Sequence, residues 1–103
     1  MTNEWEERIR RLRRRTETAT LDLGLQLVEL WLADLAILDW NAPDLLRNRD
    51  RLDELQADRG VDVQRLRRAI ELVEDTRVSF QLNVTEELAC EALAYRLERT
   101  LRR

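Results

Sequence analysis

The chain has 103 residues, 44% hydrophobic and 38% charged, with two Gly, one Pro, one Cys and no His. That is room for one domain with one core, and it excludes a disulfide framework, His-based acid–base or metal chemistry and a Gly-rich phosphate loop. The formal charge of −3 leaves no global basic field for nucleic acid, and all 18 basic residues are Arg.

So few breakers in so charged a chain point to an all-α fold, read here as a single compact bundle of about five helices spanning residues 1–103. The first helix is predicted from about Glu4 to Arg15, with Glu4–Arg8, Glu6–Arg10 and Glu7–Arg11 spaced i,i+4, acid first. Three threonines between Thr16 and Thr20 suggest a turn or kink. The second helix is predicted from about Leu21 to Asp39. On it Leu23, Leu27, Leu30, Trp31, Asp34 and Leu38 fall on or near one face, and Leu25, Leu32 and Leu35 widen the apolar surface. A helix this apolar is expected at the centre.

Pro43 breaks the pattern within Trp40-Asn41-Ala42-Pro43-Asp44, because it pushes Ala42 out of the helical region. Asn48 can cap a short third helix ending at Gly60, a good residue just past a C-terminus. Asp62 caps the fourth, with Val61 and Leu66 at hydrophobic-staple spacing. Its stripe is Val63, Leu66, Ile70, Val73 and Phe80. The fifth runs from about Glu86 to Arg102, with Ala89, Leu93, Leu97 and Leu101 stacked at i,i+4. Thr85 can cap it, and Asn83 with Glu86 forms a rival capping box. Ile70, Val73, Leu93 and Leu97 are expected to share one core.

The search for chemistry yields little. Ser79 is the only Ser and has no candidate base nearby in sequence. Cys90, one turn into the last helix, reads as a small buried hydrophobe rather than a nucleophile. No catalytic residue, cofactor or metal is expected, and no ATP binding. The arginines Arg8, Arg10, Arg11, Arg13, Arg14 and Arg15 read as a solvated face neutralised by Glu4, Glu6 and Glu7, with a nucleic-acid patch as the alternative. The Gly60 junction could open a helix-turn-helix presenting Gln64, Arg65 and Arg68. Glu71, Glu74 and Asp75 on the same helix would repel phosphate. Trp31 reads as core. Asp34, on an apolar helix, should want a partner, and an intramolecular Arg is the expected one. Trp5 stands on an otherwise charged helix, with Ile9 and Leu12 along the same side. These three are the candidate interface; the alternatives are a cap over the bundle end for Trp5 and packing within the fold for Ile9 and Leu12. No apolar run reaches the roughly 18 residues of a membrane span. The acidic start, Met1 to Glu7, lacks the apolar region of a signal peptide, so a cytoplasmic setting is expected.

Three segments carry a family likeness. Asn83-Val84-Thr85-Glu86-Glu87-Leu88-Ala89-Cys90-Glu91-Ala92-Leu93 resembles the Asn-x-Asn-Pro-x-Leu-Ala-Leu-Glu signature of the bacterial DNA polymerase III clamp-loader subunits of delta-prime type. It stands at the start of the last helix of their C-terminal domain. Asn83, Leu88, Ala89, Glu91 and Leu93 match; Thr85 replaces an Asn, Glu86 a Pro and Cys90 a Leu. The segment from Leu27 to Leu35 is similar to the family's Leu-x-x-Trp-x-Arg-Asp-Leu through Trp31 and Asp34, with Ala33 in place of Arg. Leu45 to Arg51 is similar to Leu-Ile-x-Asn-x-Asp-Arg through Asn48 and Asp50. Order and spacing agree from about Leu21 to Leu101. The resemblance implies a non-catalytic collar domain at the C-terminus of a larger subunit. Its partners would be the other clamp-loader subunits, with no direct nucleic acid and no membrane. An unrelated helical adaptor and a helix-turn-helix protein are the alternatives.

Overall fold

The computed structural model describes residues 2–40, 42–82 and 85–102. The chain is helical almost throughout. Helix α1 (Thr2–Leu38) is followed by 3₁₀ turns at Pro43–Leu45 and Arg49–Arg51. Then come α2 (Leu52–Ala57), α3 (Val63–Ser79) and α4 (Glu86–Leu101). The described residues contain no strand, and none of their helices is long and apolar enough to cross a membrane.

Among the described residues four α-helices stand where five were expected, because the first two are one. The threonine segment that suggested a turn is fully helical. The Thr16 hydroxyl donates to the Leu12 carbonyl at 2.9 Å and the Thr20 hydroxyl to the Thr16 carbonyl at 2.8 Å. Threonine disfavours helices partly because its hydroxyl competes for backbone groups; here that competition is satisfied inside the helix. Thr18 is turned the other way and donates to Glu86 Oε1 on α4. The helix ends at Leu38, with the Trp40 N–H on the Ile37 carbonyl at 2.9 Å; the break falls where Pro43 was expected to cause it, and Pro43 opens a 3₁₀ turn.

Gly24 sits within α1, and a Cβ built there meets nothing within 4 Å. Gly24→Ala is therefore expected to stabilise the chain by about 1 kcal/mol, through helix propensity alone. Thermal unfolding by circular dichroism checks this, with a rise of about 4–8 °C. A fall would show that the space beside Gly24 is occupied in solution.

The central element is α3, not the apolar helix the sequence favoured. α1 packs on α3, and so does α4. Leu66, Ala69, Leu72 and Val73 of α3 are buried, and Leu32, Leu35, Leu55 and Leu93 close round them. Ile70 and Leu97 pack on this cluster, so the shared core of Ile70, Val73, Leu93 and Leu97 is present. Val63, placed on the stripe from its spacing, is exposed because α3 begins there. Asp62 caps α3 as expected, accepting the Arg65 N–H at 3.0 Å, and Gly60 takes φ 117°, a conformation open to Gly.

The face that spacing suggested for α1 divides along its length, with Trp31, Asp34 and Leu38 covered toward its C-terminal end. Leu25, Leu32 and Leu35 turn toward the core, whereas Leu23, Leu27 and Leu30 stay exposed. The inward face also carries Asp22 and Glu29, which clamp Arg77 of α3. Arg77 Nε lies 2.8 Å from Asp22 Oδ1, and Nη1 lies 3.2 Å from Glu29 Oε1. Hydrogen bonds from Arg77, then from Gln26, hold the Asp22 carboxyl below its ordinary value. An acid depressed in the fold binds its proton first in the unfolded chain. Its contribution is therefore complete above about pH 3.8 and is lost as pH falls through the folded value. Denaturant midpoints measured down to about pH 2 should fall more steeply for the native chain than for Asp22→Asn.

The N-terminal half of α1 leaves the bundle. Every side chain from Asn3 to Glu17 is exposed. The molecule measures 61 × 27 × 18 Å, and its radius of gyration is 17.1 Å, against about 13 Å for a globular chain of this length. The bundle thus carries a projecting helical arm.

Candidate interaction surface

Two distant segments meet at Asp34. Leu27 to Leu35 lies on α1, and Leu45 to Arg51 forms the connection to α2. Asp34 is fully buried. Its Oδ1 accepts the Arg47 N–H at 2.9 Å, and its Oδ2 accepts the Asn48 N–H and the Asn48 Nδ2, both at 2.7 Å. The expected partner was an Arg side chain. The actual partners are two backbone amides and one side-chain amide, which satisfy the carboxylate without burying a second charge. Asn48 consequently does not cap a helix; it has no side-chain capping bond and spends its amide on Asp34. The helix expected after it is reduced to a 3₁₀ turn and the six-residue α2.

Trp31, one turn before, is half-buried against the core, and its Nε1 donates to Asp58 Oδ2 at 2.8 Å at the end of α2. Arg59 pairs with Asp39 at 3.1 Å beside it. Together these contacts fasten the α1–α3 connection to α1. Asp50 is exposed on the second 3₁₀ turn.

The last motif divides between core and surface. Leu93 is buried and Ala89 half-buried, while Leu88 and Glu91 are exposed. Asn83 lies outside the described residues. Thr85 occupies the N-cap position with extended backbone, but its side chain makes no capping bond. Its hydroxyl therefore does not contribute the capping energy expected of it. Glu86 in the first turn reaches across to Thr18.

Cys90 is half-buried beside a groove of about 820 Å³ between α1 and α4, lined by Thr20, Leu21, Glu87 and Glu91 among others. Burial, then the charge of Glu86, pushes its thiol up, opposite to what a nucleophile needs. The Ser79 hydroxyl donates to the Thr76 carbonyl at 2.6 Å. Among the described residues, no group of His, Cys, Asp and Glu could hold a metal ion.

At the Gly60 junction the candidate arginines make surface pairs within the chain. Arg65 pairs with Asp62 at 3.4 Å and donates to the Arg102 carbonyl at 2.7 Å, and Arg68 pairs with Glu71 at 3.4 Å. Both guanidiniums are engaged within the chain.

The predicted interface trio is displayed. Trp5, Ile9 and Leu12 are exposed along one side of the arm, and the Arg8 guanidinium lies 5.4 Å from the Trp5 ring centroid. What the sequence reading missed is the continuation. Leu23, Leu27 and Leu30 repeat the spacing of Trp5, Ile9 and Leu12 five helical turns further on, so both trios share one azimuth. The six side chains are 40–62% exposed. The signal that marks them is this repeat, which crosses the threonine segment only if the helix is continuous. α4 adds exposed Leu88 and Tyr95 on its own outer side. Comparison with protein-family models, curated proteins and solved structures finds no match for the chain.

Proposed function

We propose that this chain is a non-catalytic oligomerisation domain of a DNA polymerase III clamp-loader subunit of delta-prime type. It packs with other subunits in the collar that supports sliding-clamp loading. One observation carries the reading. The residues that bear the likeness in two separate segments, Asp34 and Asn48, are partners in one buried hydrogen-bond cluster. A shared architecture gives a physical reason for both motifs at once, which chance similarity of Leu-rich helices does not.

The exposed stripe on α1 favours the broader part of the reading, a domain that binds protein. Contiguous apolar surface of this kind marks partner sites. It favours an unrelated helical adaptor equally, and the partners decide between the two. Co-purification with the other clamp-loader subunits in a cytoplasmic extract is the expected result. Trp5→Ala should leave the fold intact by circular dichroism and weaken that association by about tenfold or more, since a lost aromatic anchor costs about 2 kcal/mol. Loss of the fold would place Trp5 in the core. An unchanged association would move the interface to the charged faces of α3 and α4.

A further inference from the structure

We infer that the outer stripe of α1 is self-complementary and pairs antiparallel with α1 of a second copy of this chain. The inference rests on α1 itself and does not depend on the clamp-loader reading; a second copy and a collar neighbour would compete for the Trp5 face.

The register comes from the two apolar trios. An isologous two-fold contact requires that each patch meet the other. When two copies of α1 run antiparallel, Trp5 meets Leu30 of the second copy, Ile9 meets its Leu27, and Leu12 meets its Leu23. All three pairs form within one residue of a single offset, because the trios repeat on one azimuth. The midpoint falls at Thr16 and Ala19, small side chains that allow close approach at the crossing.

Charge selects the direction. Arg8 and Arg15 lie on one flank of the stripe, and Asp22 and Glu29 continue the row at seven-residue steps as it turns inward toward Arg77 of α3. In the antiparallel register Arg8 comes within two residues of the level of Glu29 of the second copy, and Arg15 within two of its Asp22. Those two carboxylates share the single guanidinium of Arg77, which leaves one net negative charge at the edge the incoming arginines pass. On the other flank, Arg13 approaches the groove edged by Glu17, Glu87 and Glu91. A parallel pair would instead lay two six-arginine segments side by side, which like-charge repulsion opposes. An anionic membrane suits the Arg-rich arm but not the second trio, since residues 21–30 contain no basic residue.

The size is sufficient. Six large apolar side chains on each copy, with the aliphatic stems of the flanking arginines, bring roughly 800 Å² per copy within reach, the scale of a standard stable interface.

Sedimentation equilibrium of the whole chain, from about 5 to 200 μM, tests the inference. The expected mass is twice 12.3 kDa at the upper end. Leu23→Glu, at a position 56% exposed and outside the bundle core, should raise the dissociation constant by about 30-fold or more with an unchanged helical spectrum. Orientation is read from a nitroxide at Asn3→Cys in a Cys90→Ala background. Antiparallel pairing places the two labels about 40 Å apart. A distance under about 20 Å, the parallel arrangement, overturns the inference. So does a monomer at every concentration, an association indifferent to Leu23→Glu, or a monomer that binds phosphatidylserine vesicles through the arm.

Discussion

Asp34→Ala is expected to lower the unfolding free energy by roughly 3–5 kcal/mol, one of the two largest effects of any single substitution considered. The carboxylate accepts three hydrogen bonds at 2.7–2.9 Å in a site with no solvent access. Truncation leaves the N–H groups of Arg47 and Asn48 and the Asn48 amide without an acceptor. Each orphaned donor costs about 1–3 kcal/mol if it stays buried. Asp34→Asn should lose less, because one oxygen remains, yet its new NH₂ faces a donor. Urea unfolding measures both. If Asp34→Ala costs under about 1 kcal/mol, the Arg47–Asn48 segment must lift from α1 and take its bonds from water.

Leu93→Ala is the second, at roughly 2–5 kcal/mol. Leu93 is 4% exposed and lies in the cluster with Leu66, Ala69 and Val73, so truncation opens a cavity at the α3–α4 contact. Leu88→Ala on the same helix provides the contrast. Leu88 points outward and should cost under about 0.5 kcal/mol in the isolated chain. A reversal of that order would mean α4 is rotated about its axis.

These substitutions also mark what the sequence could and could not reveal. The helical class was legible from the scarcity of Gly and Pro, and so were the breaks near Pro43 and Gly60 and the Asp62 cap, since each rests on local chemistry. Continuity of α1 was not legible. A threonine cluster reads as a breaker until its hydroxyls are seen bonded to Leu12 and Thr16 carbonyls. Nor was the buried face. Leu23–Leu27–Leu30 and Leu25–Leu32–Leu35 both satisfy an amphipathic pattern, and only the position of α3 chooses between them. The need of Asp34 for a partner was legible; its identity was not, because backbone amides have no signature in sequence. The exposed trio on the arm was recognised through Trp5, but its continuation at Leu23, Leu27 and Leu30 was assigned inward.

The unbroken α1 has a consequence for how order spreads through the molecule. Starting a helix costs far more than lengthening one, so a segment as short as the arm is marginal by itself in water. Joined to a packed helix, the arm needs no start of its own. Each residue from Glu17 back toward Asn3 adds to a ladder already anchored by Leu32 and Leu35 on α3. The dependence runs one way. The bundle can stand while the arm frays, but the arm cannot hold its shape once the bundle opens.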